Sequence, residues 1–74
     1  MFYTPMTGIS KRQLEALDFI RRFIRRKRYS PSIREIAEGL NTAISNTHRV
    51  VEMLEERGHI RRLPNKSRTI EVVK

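Results

Sequence analysis

The sequence predicts an α+β domain of three helices followed by a two-stranded β-hairpin. Two observations point to helices. Ser10 with Gln13, and Ser32 with Glu35, have the spacing of a capping box, and each box opens a stretch whose apolar residues recur at helical intervals. A third observation points to the hairpin. After Gly58 the pattern changes to two short runs, the second rich in β-branched residues, around the turn-forming Pro64-Asn65-Lys66-Ser67-Arg68.

The first helix starts at Ser10 and carries Ala16, Leu17, Ile20, Phe23 and Ile24 as one apolar stripe. Asp18 stands one turn before Arg22, the spacing of a helical ion pair. Leu14 and Phe19 fall off the stripe. An end near Arg28 is expected, because Pro31 pushes Ser30 into an extended conformation. The second helix, opened by Ser32, places Ile33, Ile36, Ala37 and Leu40 on one side, with Gly39 as its weak point. Asn41-Thr42-Ala43 makes a turn. The third helix is expected to begin around Ser45, with Thr47, Val50, Val51 and Leu54 on one face and Ser45, Arg49, Glu52 and Glu56 on the other. Gly58 ends it. His59–Leu63 and Thr69–Val73 are the expected strands, although Arg62 occupies a position where alternation calls for an apolar side chain. Residues 1–8 read as a flexible leader, and 9–74 as the domain.

Composition narrows the functional classes. The chain has 74 residues, 38% of them hydrophobic, enough for one small core. It contains no cysteine, so neither a disulfide nor a thiolate metal site is available. The apolar runs are too short for a membrane span, and the N-terminus lacks the pattern of a secretion signal. A cytoplasmic protein is expected. Sixteen Lys and Arg against eight Asp and Glu give a net charge of +8, which favours a polyanionic partner. An anionic membrane would need a wide exposed apolar face, and the apolar faces here are required by the core.

Two short helices joined by a tight turn, the second with a polar outer face, suggest a helix-turn-helix. The hairpin behind it makes a wing. A helix in the major groove of double-stranded DNA needs hydrogen-bonding side chains early in its exposed face. Ser45, Asn46, His48 and Arg49 meet that need, although an ordinary solvated helix face is built from the same residue types. In the hairpin loop, Asn65, Lys66 and Arg68 are candidates for phosphate or minor-groove contact. Arg12 and the helix start at Ser32 are further candidates for backbone contact. The Arg21-Arg22 and Arg25-Arg26-Lys27-Arg28 cluster leaves two readings open: direct contact, or a solvated surface adding long-range attraction. No catalytic residue, cofactor or metal is expected. His48 and His59 lack ligand spacing, and neither a glycine-rich phosphate loop nor a nucleophile motif occurs.

The stretch Ile9–Val73 resembles the N-terminal DNA-binding domain of the LexA family of bacterial SOS-response repressors. The resemblance is carried by Ser10-Lys11-Arg12-Gln13, Asp18-Phe19-Ile20-Arg21, Pro31-Ser32-Ile33-Arg34-Glu35-Ile36-Ala37 and Leu54-Glu55-Glu56-Arg57-Gly58-His59-Ile60. It implies a winged helix-turn-helix that docks its third helix in the major groove and lays the wing on the neighbouring backbone. It also implies a transcriptional repressor. Two local features depart from the family. The turn before the third helix is one residue shorter, and His48 and Arg49 stand where enterobacterial members carry acidic residues. The family's operator is therefore not carried over. Self-cleavage and the main dimer contact belong, in the family, to a second domain that a chain ending at Lys74 is expected to lack. Weak self-association at most, with pairing as a homodimer on DNA, is expected. The alternative is a winged-helix protein-interaction module, such as a phage- or plasmid-type regulator of a host protein, using the off-stripe Leu14 and Phe19.

Overall fold

The computed structural model describes residues 10–73. The leader expected at residues 1–8 lies outside them. Helices α1 (Lys11–Lys27), α2 (Ile33–Leu40) and α3 (Ile44–Glu56) are followed by strands β1 (Ile60–Arg61) and β2 (Glu71–Val72). The strands pair antiparallel, Ile60 opposite Val72 and Arg61 opposite Glu71.

Both expected capping boxes form. Ser10 Oγ accepts from the Gln13 N–H at 3.1 Å, and the Gln13 side chain accepts in return from the Ser10 N–H at 3.4 Å. Ser32 Oγ accepts from the Glu35 N–H at 3.1 Å, and Glu35 Oε1 accepts from the Ser32 N–H at 2.9 Å. Each box satisfies two of the backbone donors that a helix start leaves without partners. The first helix ends where expected, at Arg28, which takes the left-handed conformation (φ 67°).

Helices α2 and α3 end in the same way. Asn41 (φ 55°) and Gly58 (φ 80°) turn left-handed. The Thr42 N–H then reaches back to the Ala37 carbonyl, and the His59 N–H to that of Leu54, both at 3.0 Å. This is the Schellman arrangement, which satisfies carbonyls at a helix end.

Helix α3 starts one residue earlier than expected. Its first residue is Ile44, and its cap is Ala43, which has no side chain to accept a hydrogen bond. The strands are also shorter than the two five-residue runs expected. Asn65 (φ 61°) and Arg68 (φ 57°) turn the chain inside the wing. Thr69 Oγ1, rather than a backbone carbonyl, accepts from the Leu63 N–H at 3.0 Å. The ladder stops where the side chain replaces it.

The core lies between the three helices and the hairpin, built from Ala16, Leu17, Ile20, Ile36, Val51, Leu54, Ile60 and Ile70. Gln13 is the buried polar residue of α1, and its Nε2 donates to Met53 Sδ of α3 at 3.2 Å. Phe19, off the stripe, lies against Gly39 instead. A Cβ at residue 39 would sit 2.1 Å from the Phe19 ring, so the missing side chain makes room for the aromatic.

Candidate nucleic-acid interface

The register of α3 decides what it shows to solvent. Thr47, Val51 and Leu54 are buried, one turn apart, and the Thr47 hydroxyl donates to the Ala43 carbonyl at 3.0 Å. That anchoring leaves Ser45, Asn46, His48 and Arg49 exposed. None of the four side chains makes an ion pair or side-chain hydrogen bond among the described residues. They combine two hydroxyl or amide groups, an imidazole and a guanidinium, the chemistry that base edges require.

The wing stands beside this helix. A groove of about 530 Å³ runs between them, lined on one side by Ile33, His48 and Glu55 and on the other by Arg62 through Ser67. It brings His48 together with Asn65 and Lys66 of the wing; Ser45, Asn46 and Arg49 lie on the helix outside its lining. Asn65 and Lys66 are exposed, and Thr69 Oγ1 donates to the Lys66 carbonyl at 3.2 Å, which fixes the loop backbone while leaving the Lys66 ammonium in solvent.

Arg62, out of place in the strand pattern, has its explanation here. Its Nε donates to Glu55 Oε1 at 3.1 Å, and the pair is among the less exposed ones. A bare carboxylate in the groove would repel phosphate, and Arg62 neutralises it.

Arg68 departs from expectation. Its side chain turns away from the groove, back towards the start of α2. Nη1 and Nη2 donate to the two Glu35 carboxylate oxygens at 2.8 and 3.0 Å, and Nη1 reaches the Ser30 carbonyl at 3.3 Å. The guanidinium lies 5.2 Å from the Tyr29 ring centre. Ser30 Oγ accepts from the Ile70 N–H at 3.0 Å and completes the attachment. In the free domain the guanidinium is thus held by a bidentate carboxylate beside an aromatic ring. The Arg68 hydrogen bonds, then the Ser32 N–H, hold the Glu35 carboxyl below its ordinary range, and Glu35 in turn raises Arg68.

The other two backbone candidates sit at helix starts. The Ser32 hydroxyl is used as the α2 cap. Arg12 is half exposed and makes only a loose contact of 3.7 Å with Glu15. The Arg62–Glu55 pair and the Arg68–Glu35 attachment are the features that sequence reasoning missed. The break in alternation at Arg62 was the one signal for the first; for the second there was none.

Three helices, a two-stranded wing and an exposed polar face on the third helix define a winged helix-turn-helix, a class of DNA-binding domain. The chain belongs to the LexA DNA-binding domain family, whose model matches residues 6–69. It is 48% identical over 69 residues to the LexA repressor of Geobacillus sp. (strain WCH70), covering 92% of this chain and 33% of that protein. The LexA repressor of Bacillus licheniformis is 49% identical over the same share of each chain. That of Staphylococcus epidermidis is 46% identical, with 92% of this chain and 34% of the relative covered. The chain thus spans about a third of the length of the curated relatives it matches.

Proposed function

We propose that this chain is the sequence-reading segment of a LexA-type transcriptional repressor, working on double-stranded DNA in the cytoplasm and without catalytic chemistry of its own. On this reading α3 lies in the major groove, with Ser45, Asn46, His48 and Arg49 towards base edges. Asn65 and Lys66 of the wing, with Arg12 and the start of α2 at Ser32, meet phosphates. The observation that carries it is the set of four polar side chains on α3, unpaired among the described residues, beside a wing whose exposed ammonium is likewise unpaired among them. The uncapped start of α3 adds support. Helices α1 and α2 each carry a capping box, whereas Ala43 leaves the first α3 donors without a side-chain partner, open to a phosphate oxygen.

A single domain covers a short site, so useful affinity requires two copies on a two-fold operator. The alternative of a protein-interaction module is weaker, because Phe19 packs against Gly39 and leaves only Leu14 exposed of the two residues it needs.

Selection of preferred duplexes from a random pool is the direct test. A preferred sequence with two half-sites is expected, and a pool that never enriches would overturn the reading. With that duplex in hand, Arg49→Ala is expected to lose about 1–3 kcal/mol of discrimination against random DNA. Lys66→Ala should weaken both duplexes alike and flatten the salt slope by about one. Identical behaviour of the two variants would refute the assigned roles.

A further inference from the structure

We infer that the exposed side of α1 is a second surface for duplex nucleic acid, able to hold another segment of DNA while α3 reads the first; the inference rests on the DNA-binding reading above. From Phe19 to Arg34 the chain carries seven of its sixteen cations and no acidic residue. Within that stretch Arg25, Arg26, Lys27 and Arg28 follow one another at the end of α1, all exposed. The side chains of Arg25, Arg26 and Lys27 make no ion pair among the described residues, and Arg22 makes only an exposed contact with Asp18 at 3.3 Å. An exposed pair of this kind is easily exchanged for phosphate.

The helix dipole accounts for one or two cations in a last turn, not for this many. Arg22 and Arg26 stand one turn apart, and like charges at that spacing weaken a helix. The arrangement therefore works against the isolated fold and in favour of an anionic partner. Arg22 and Arg26 border a hollow towards Gly39 of α2, whereas Arg21 and Arg25 border one towards β2. Between them runs a cationic ridge about 10 Å long, the axial span of about three base pairs.

The ridge and the reading face lie on different helices, each on the side turned away from the core the two helices share. Helix α1 buries Ala16, Leu17 and Ile20 against the core that holds Val51 and Leu54 of α3. A duplex lying along α3 leaves the ridge uncovered. The residue types select the partner. A protein partner needs a buried apolar anchor at the centre of its contact, and a membrane needs an exposed apolar face. Of the apolar residues flanking this ridge, Phe23 is buried, and Phe19 and Ile24 are half-buried and packed against the core. Single strands need stacking rings, and Tyr29 is already engaged by Phe23 and Arg68. Guanidinium groups along a helix suit the phosphates of a duplex.

Co-capture tests this. The selected duplex is immobilised, the protein is bound, and retention of a second, labelled random duplex is read. The whole chain is expected to retain the second duplex, and the triple variant R25Q/R26Q/K27Q to lose it. The variant should keep its preference for the selected over the random sequence, while retention of the second duplex by the parent should fall with salt at a slope of about two to three from these three cations. Retention by the variant equal to that of the parent would overturn the inference, assigning bridging to protein pairing or to the wing. So would a parent that binds the first duplex and never retains a second. Failure of the DNA-reading proposal looks different: binding without sequence preference, still lost in the triple variant, would leave the ridge standing alone.

Discussion

Glu35 holds two structures at once. One carboxylate oxygen closes the α2 capping box on the Ser32 N–H, and both oxygens receive the Arg68 fork from the wing. The box was legible from Ser32 and Glu35 three positions apart. The wing attachment was not, because a contact thirty-three residues away leaves no local pattern. The two roles separate in Glu35→Gln, since glutamine also closes a capping box but carries no charge for Arg68. A carboxyl held below its unfolded value contributes stability above about pH 4.3 and loses it as pH falls through the folded value. Glu35→Gln is therefore expected to be less stable than the parent near neutral pH, with the gap closing in acid. Urea midpoints measured from about pH 7 to about pH 3 read this directly. A gap independent of pH would mean that the lost stability comes from packing and not from the ion pair.

Phe19 and Gly39 show the same limit at residue scale. Each looked anomalous alone, one off the stripe and one weakening a helix, and the contact between them explains both. Gly39→Ala gains about 1 kcal/mol of helix propensity but displaces the ring. In the parent the substitution is expected to be neutral or destabilising by up to about 1 kcal/mol. In a Phe19→Ala background it should stabilise by about 1 kcal/mol. Equal effects in both backgrounds, from urea melts, would deny the contact.

At the scale of elements, legibility followed the strength of local signals. Helices α1 and α2 were placed by their boxes, and their ends by Pro31 and by the Asn41-Thr42-Ala43 turn. The start of α3 was misplaced by one residue because Ala43 offers no capping signal. The strands were overestimated because β-branched residues extend beyond the pairing, which Thr69 closes with its own hydroxyl. Of the candidate site, the polar face of α3 was readable from periodicity. The commitment of Arg68 was not, since any cation in a loop looks free in a sequence. The bare α3 start gives a prediction at this scale. Ala43→Ser and Ala43→Asp are both expected to stabilise the free domain by about 1 kcal/mol through capping. Only the aspartate should weaken DNA binding strongly, about tenfold or more, because it fills a phosphate position with negative charge. Equal affinities for the two variants would show that this helix start faces no phosphate.

For the whole molecule, charge opposes the fold and serves the function. Five of the eight acidic side chains pair with arginine: Glu15, Asp18, Glu35, Glu55 and Glu71. Even so, sixteen cations stand against eight acidic side chains, on a domain too small to spread them far apart. Self-repulsion of this kind is screened by salt, and so is attraction to DNA, with opposite consequences. Raising NaCl from about 0.05 to about 0.5 M is expected to raise the thermal midpoint of the free domain while lowering its affinity for any duplex. The R25Q/R26Q/K27Q variant should begin with the higher midpoint at low salt and gain less from added NaCl, because part of the repulsion has already been removed. A parent midpoint that falls with salt would mean that the five pairs outweigh the excess of positive charge. The fold would then depend on attractions that exposed pairs seldom supply.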